Sequence, residues 1–263
     1  MIRIAITAGG TGEQIDGIRR ITNLSTGSLG WYCLEAVIQY FKRESGTDFH
    51  VDYIHAENAV IRSLQDTENR QVTFYPVTDA VSVHEAVDDL TRKNKVDYFI
   101  HAMAISDFTF SYAVAITRIA EEIEALQKIG GFSDDDVSEV LINPRTRFSD
   151  NEKIPSDDDI ILGLKRTEKV IPVIKRNNPE TFLVGFKLLN DVDEHKLIEA
   201  ANKLTEKNGC DLVFANMVSA ISESSHRGIL IQNGRIVARP EGKKQIAETI
   251  VETMVELHRS SHS

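Results

Sequence analysis

Six short apolar runs recur along the chain, at Ile2–Thr7, Val51–His55, Val72–Tyr75, Asp97–Ala102, Phe182–Phe186 and Asp211–Asn216, with helical stretches between them. A strand that faces water on one side alternates apolar and polar residues; a continuous apolar run belongs to a strand covered on both faces. Strands of that kind separated by helices define an α/β chain with a doubly wound, mostly parallel sheet. The helical stretches carry the matching period. In Trp31–Arg43, residues Leu34, Val37, Ile38 and Phe41 fall on one face. Val81–Leu90, Asp193–Lys207 and Gln245–His258 read the same way, the second closed by Asn208-Gly209. Near the end, Gly228–Ile231 and Arg235–Ala238 flank Gln232-Asn233-Gly234, a hairpin signal. Ligands of such a sheet bind beyond the carboxyl ends of the strands, which directs attention to the loops after Thr7, Ala102, Phe186 and Ala215.

The chain of 263 residues is read as a single domain over 1–263. Residues from about 110 to 151 interrupt the alternation, with a helix expected to end at Gly130-Gly131 and Ser133 as an N-cap before Asp134-Asp135-Asp136. This stretch is expected to be an inserted lobe. Cys33 and Cys210 each sit in apolar sequence and read as reduced core thiols. A net charge of −10 argues against general nucleic-acid binding, though a few lysines can still build a local pocket for an anion. No apolar run approaches the ~20 residues of a membrane helix, and Met1–Ala8 is too short for a secretory core, so the expected location is cytoplasmic, away from the membrane. His55, His101 and His195 make no metal spacing with a carboxylate, and no metal ligand is assigned to the protein.

Five pieces could carry chemistry, and each has a plain structural alternative. Gly9, Gly10 and Gly12 form a glycine-rich turn after the first strand, suited to close approach by a phosphate. They are neither a complete dinucleotide fingerprint nor a P-loop, and a tight turn explains them equally well. Ser25, Thr26, Gly27 and Ser28 open a helix, where free N–H groups attract anions; simple N-capping is the alternative. Ala102–Asp107 leaves a strand with small residues and then an aspartate, which elsewhere is a turn residue. Lys153 lies in a loop and reads by itself as solvated. Lys203 and Lys207 share a helix face with Glu199 and Glu206 nearby, a pattern that suits a solvated face.

In order along the chain these pieces carry a resemblance. Thr7-Ala8-Gly9-Gly10-Thr11-Gly12-Glu13, Ile15-Asp16, Arg19, Ile21-Thr22-Asn23 and Ser25-Thr26-Gly27 closely resemble the opening of the phosphopantothenate–cysteine ligases. The similarity continues through Ala102–Phe108, Glu152-Lys153-Ile154, Gly185-Phe186-Lys187-Leu188 and Asp211–Asn216, covering most of the chain. The resemblance implies a Rossmann-like sheet with a dimerisation element and a homodimer. The implied substrates are 4′-phosphopantothenate, L-cysteine and a nucleoside triphosphate with Mg²⁺. It further implies catalytic roles for Asn23 and Lys153. Arg19, Asn23, Ala104 and Asp107 would bind the substrate, with Arg19 reaching into the neighbouring subunit's site. Gly9, Gly10, Gly12, Ser25, Thr26, Gly27, Asp107, Lys153, Phe186, Lys203 and Lys207 would bind the nucleotide.

The sequence also departs from the family pattern. No upstream flavin-dependent decarboxylase fits before Thr7, so a stand-alone form is expected. Arg166-Thr167-Glu168-Lys169 stands where fused relatives have a proline-containing nucleotide loop. Gly185–Asp191 looks more like the eukaryotic version, which leaves ATP open, while the stand-alone bacterial pattern favours CTP. Two rival readings are a nicotinamide-dependent reductase, disfavoured by the broken fingerprint, and a non-catalytic relative that binds the substrate or a decarboxylase.

Overall fold

The computed structural model describes residues 1–44, 46–128, 133–148, 154–155, 157–221 and 226–261. Its elements run β1 (Ile2–Ala8), β2 (Gly12–Gln14), β3 (Arg20–Thr22), α1 (Ser28–Arg43), β4 (Phe49–Ala56), α2 (Asp66–Asn69), β5 (Val72–Val77), α3 (Ala80–Lys93) and β6 (Tyr98–His101). Then follow β7 (Phe108–Ala115), α4 (Ile116–Lys128), α5 (Asp134–Ile142), β8 (Ile160–Arg166), α6 (Ile171–Asn177), β9 (Phe182–Leu189), α7 (Glu194–Asn208), β10 (Leu212–Met217), β11 (Ile229–Gln232), β12 (Arg235–Ala238) and α8 (Lys243–Ser261).

The continuous apolar runs become the interior of one eight-stranded sheet, in the order β12-β11-β10-β9-β6-β1-β4-β5. All pairs from β5 to β10 are parallel; β11 and β12 append an antiparallel hairpin to one edge. Each strand sends alternate residues to opposite faces. In β1, Ile4, Ile6 and Ala8 enter a core shared with α1 and α8, through Leu34, Val37, Ile250 and Met254. Ala5 enters the other core, with Val83 and Val87 of α3, Ile174 of α6 and Leu197 of α7. Helices on both faces are what a sheet of continuous apolar strands requires. The chain reverses direction across the sheet between β1 and β6: the strands before β6 build outward to one side, those from β6 onward to the other. That reversal opens a crevice at the carboxyl ends of β1 and β6.

Two regions differ from their sequence reading. Glu13–Asn23, read as a loop, contains the hairpin β2–β3, with Gly12 opposite Thr22 and Gln14 opposite Arg20. Its strands are three residues long and polar, too short to show a period of two. The chain after β6 leaves the main sheet as an antiparallel ribbon, β7 with β8, so the excursion spans 108–166 and the expected start at Phe110 falls inside β7. Its own small core is Tyr112, Val114 and Ile119, with Ser133 capping α5 as expected. The expected helix end at Gly130-Gly131 lies outside the described residues.

Candidate active site

Three loops meet where the sheet reverses. The turn after β1 runs alongside the loop after β6: Ala104 N–H donates to the Gly9 carbonyl at 2.8 Å and Thr11 N–H to the Ala104 carbonyl at 3.1 Å. The third loop, before α1, joins both. Asn23 N–H donates to the Thr11 carbonyl at 3.2 Å, and the Asn23 side-chain amide donates to the Ala104 carbonyl at 2.9 Å. Glycine is needed for this approach. A Cβ on Gly10 would stand 2.6 Å from the Asn23 carbonyl oxygen. Gly27, the N-cap of α1, has φ 69°, and a Cβ there would stand 2.9 Å from the Gly9 nitrogen.

The loops border a cleft of about 440 Å³. One wall is residues 24–30, the start of α1. The floor is Ala102–Ile105 and Asp107 from the loop after β6. The far wall is Phe186, Lys187 and Leu188 at the end of β9, then Phe214 and Asn216 of β10, and then Ile221, His226 and Lys243. The Phe186 ring packs on Phe214, centroids 5.7 Å apart, with its edge in the cleft. Asp107 is exposed and pairs with Lys169, and its carbonyl accepts from Thr167 N–H at 3.1 Å. The loop 166–169, read from sequence as a departure from the family pattern, is therefore fastened to the cleft floor.

The electrostatics are those of an anion site. α1 begins without a side-chain cap and with no acidic residue in its first turn, so its N–H groups and the positive end of its dipole face the cleft. Lys243 Nζ lies 2.9 Å from Ser28 Oγ. His226 is buried, and burial together with the nearby Lys243 pushes its pKa down, which keeps the imidazole neutral. Further back, burial lowers the His101 pKa to about 4, and its Nδ1 lies 3.0 Å from Thr7 Oγ1. Among the described residues no group of His, Cys, Asp and Glu side chains could hold a metal ion. Cys33 and Cys210 are buried free thiols, with burial raising each to about 12, and neither lines the cleft.

Of the residues singled out from sequence, Ser25, Thr26, Gly27, Ala104, Asp107 and Phe186 come together on the cleft. Asn23 stands directly behind it, held on Ala104. Gly9, Gly10 and Gly12 do not line it: they face Ala56, Asn23 and Arg20 and serve loop packing. Glu13, beside them, caps α3 by accepting from Ala80 N–H at 2.9 Å. Arg19 sits on the β2–β3 hairpin, donating to Asp16 at 2.9 Å from Nε and to the Ile154 carbonyl at 2.7 Å. Lys203 and Lys207 are not brought to the cleft. α7 runs back from the carboxyl edge of the sheet, and about 1.5 Å per residue carries Lys203 roughly 14 Å from the start of the helix. Lys203 there pairs with Glu199 at 2.6 Å. Lys153 lies outside the described residues. Sequence reasoning did not single out His226 or Lys243, which arrive from distant segments; a lysine pair at the start of a helix with no acidic first turn was the available signal.

A doubly wound sheet with an anion-attracting cleft at its reversal point is the frame of a nucleotide- or phosphate-using protein. Comparison with known proteins narrows this. The family described as the DNA/pantothenate metabolism flavoprotein C-terminal domain matches residues 1–127 and 144–257, and the chain belongs to that family. A curated relative, the coenzyme A biosynthesis bifunctional protein CoaBC of Thermococcus kodakarensis, is 27% identical over 249 residues, covering 94% of this chain and 49% of the relative. The protein of the same name from Bacillus subtilis is 30% identical over 217 residues, 82% of this chain and 40% of the relative. The chain thus spans about half the length of the curated relatives it matches. A crystal structure of the DNA/pantothenate metabolism flavoprotein from Streptococcus pneumoniae superposes with TM-score 0.77 at 30% identity, covering 98% of this chain and all of that one. The C-terminal domain of a CoaBC protein has the same fold, with TM-score 0.65 at 20% identity. Residues 128–143, in the lobe, fall outside the family match.

Proposed function

We propose that this chain is a phosphopantothenate–cysteine ligase of coenzyme A biosynthesis. The observation that carries the reading is the cleft itself: an uncapped helix N-terminus, the small residues Ala102 and Ala104, and the aromatic Phe186, all at the reversal point of the sheet. The reaction has two halves. The phosphopantothenate carboxylate attacks the α-phosphorus of a nucleoside triphosphate and expels pyrophosphate. The cysteine amine then attacks the acyl carbon and expels the nucleoside monophosphate. Neither half requires an enzyme nucleophile; both require charge neutralisation and alignment of the reacting groups. The cleft suits that requirement.

In this reading Ser25, Thr26 and Gly27 hold nucleotide phosphates, and Phe186 meets the base. Ala104 and Asp107 line the substrate side. Asn23 orients the acyl group, and Lys153 supplies a cation to the phosphates. Mg²⁺ enters with the triphosphate as part of the substrate. CTP is the proposed nucleotide and ATP the alternative; the proposed setting is the cytoplasm. No described helix is long and apolar enough to cross a membrane.

The proposed assembly is a homodimer. The β7–β8 ribbon packs one face on its own helices and leaves Phe108, Leu162 and Leu164 exposed on the other. Arg19 lies in the turn of the adjacent hairpin beside exposed Ile18, where Asp16 and the Ile154 carbonyl of its own chain hold it; the reach into a neighbouring subunit is carried by the family resemblance alone. The decisive assay is pyrophosphate release with phosphopantothenate, cysteine and each nucleoside triphosphate. Release is expected only when phosphopantothenate and a triphosphate are both present, and fastest with CTP. No release with any triphosphate, from folded protein with Mg²⁺, would end the ligase reading; equal or faster release with ATP would end the CTP preference alone.

A further inference from the structure

Two long helices begin at one point of the cleft. α1 starts at Ser28 and α8 at Lys243, and neither has an acidic residue in its first turn. The start of an α-helix leaves its first N–H groups without intrahelical partners and carries the positive end of a dipole. A cation is poorly placed at a helix N-terminus, yet Lys243 is there, with Nζ 2.9 Å from Ser28 Oγ and no carboxylate in ion-pair range among the described residues. Its neighbour Lys244 does have one, Glu248 at 3.9 Å.

His226 lines the same cleft and is 8% exposed. Its Nε2 lies 3.2 Å from the Asn216 side-chain nitrogen. With that amide as donor, Nε2 is the acceptor and the proton resides on Nδ1, which is buried with no hydrogen-bond partner among the described residues. A buried donor left unmade is costly, and native structures rarely keep one without a use. The ammonium and the two helix starts thus share one need, an acceptor oxygen carrying negative charge. They concentrate it in a chain whose net charge is −10.

We infer that Lys243 is a phosphate-binding residue of the cleft, gripping the polyphosphate of the nucleotide against the start of α1, with His226 as a positioning residue beside it. The inference rests on the nucleotide-using reading above and extends it to two residues that the family motifs do not include. The reason for a lysine here is reach: α8 packs along α1 over its length, so its first residue stands beside the first residue of α1. A flexible ammonium can then follow the phosphate between the two half-reactions.

The test uses inorganic tripolyphosphate, which carries the charge of the nucleotide without base, ribose or reactive carboxylate. Binding is measured by calorimetry for the wild-type chain, Lys243→Gln, Lys243→Arg and Lys244→Gln, with circular dichroism to confirm folding. Losing one charge-assisted contact should weaken binding about 10- to 100-fold in Lys243→Gln. Lys243→Arg should recover most of the loss. Lys244→Gln, with the same change in net charge one residue away, should stay within about twofold, as surface changes usually do. Equal weakening by Lys243→Gln and Lys244→Gln, or no binding by the wild type, overturns the inference. Pyrophosphate release is scored separately: tripolyphosphate binding that depends on Lys243 in a chain without ligase activity would keep the phosphate site and discard the ligase.

Discussion

At the scale of single residues, the glycine-rich turn proves to be a packing device with a functional consequence. Gly10 has no room for a methyl group, because the Asn23 carbonyl and Ser25 already occupy the space. Gly10→Ala should therefore push the 23–27 loop off the 102–107 loop. It is expected to cost about 1–3 kcal/mol of stability by overpacking, and to weaken nucleotide binding by moving Ser25 and Thr26. Urea unfolding and nucleotide titration check both parts; stability and affinity unchanged from wild type would mean the loop has slack. Asp16 offers a pH test. The Ile18 N–H, then the Arg19 guanidinium and further backbone N–H groups, hold its pKa down to about 2. A carboxylate depressed in the folded state contributes stability above its unfolded pKa of about 4, and loses it as pH falls toward about 2. The stability gap between wild type and Asp16→Asn should thus close as pH drops through that window. A gap independent of pH in stepwise urea melts would show that the charge of Asp16 is not what holds the hairpin.

At the scale of elements, the β7–β8 ribbon is the part whose outer face the fold leaves uncovered. Tyr112, Val114 and Ile161 turn inward to α4, while Leu162 and Leu164, two residues apart, point the other way. If that face is the dimer contact, Leu164→Glu should yield a folded monomer where the wild type sediments as a dimer. A charge buried without a partner is strongly disfavoured, whereas at an exposed site it is harmless. A wild-type monomer at micromolar concentration, or a mutant that still dimerises, would remove the ribbon from the interface. The loop after β8 is a second element with a role in the site, since Thr167 and Lys169 fasten it to Ser106 and Asp107.

At the scale of the whole molecule, the question is whether one chain makes a complete site. Arg19 and Asn23 are four residues apart, but they sit on different structures: Arg19 on the hairpin toward the lobe, Asn23 against the cleft floor. Inactive Arg19→Ala and Asn23→Ala chains, unfolded and reassembled together, distinguish the possibilities. With shared sites, a mixed dimer holds one intact pocket. Random mixing makes about half the dimers mixed, so activity should return to roughly a quarter of wild type. If each chain builds its own site, every pocket keeps a lesion. No recovery, with mixed dimers confirmed by native mass spectrometry, would put Arg19 to work in its own subunit.

The sequence by itself made legible the layered α/β plan, the strands of the main sheet and the long helices α1, α3, α7 and α8, because continuous apolar runs and helical periodicity are local properties that survive any context. It also marked the loops before α1 and after β6 and β9, since small residues, hydroxyls and an aromatic at strand ends are visible in the chain. It did not reveal that Gly9, Gly10 and Gly12 face away from the cleft, because a tight turn and a phosphate turn require the same residue. Nor did it separate the lysines. Lys203 and Lys207 read as a solvated face, with nucleotide binding implied by the resemblance alone, and α7 places them back along the sheet from its carboxyl edge, where Lys203 pairs with Glu199. Lys243 was not singled out in the sequence; only the return of α8 along α1 brings it to Ser28, 215 residues away. Which cation reaches the anion site is decided by helix direction and packing, and those exist only once the chain has folded.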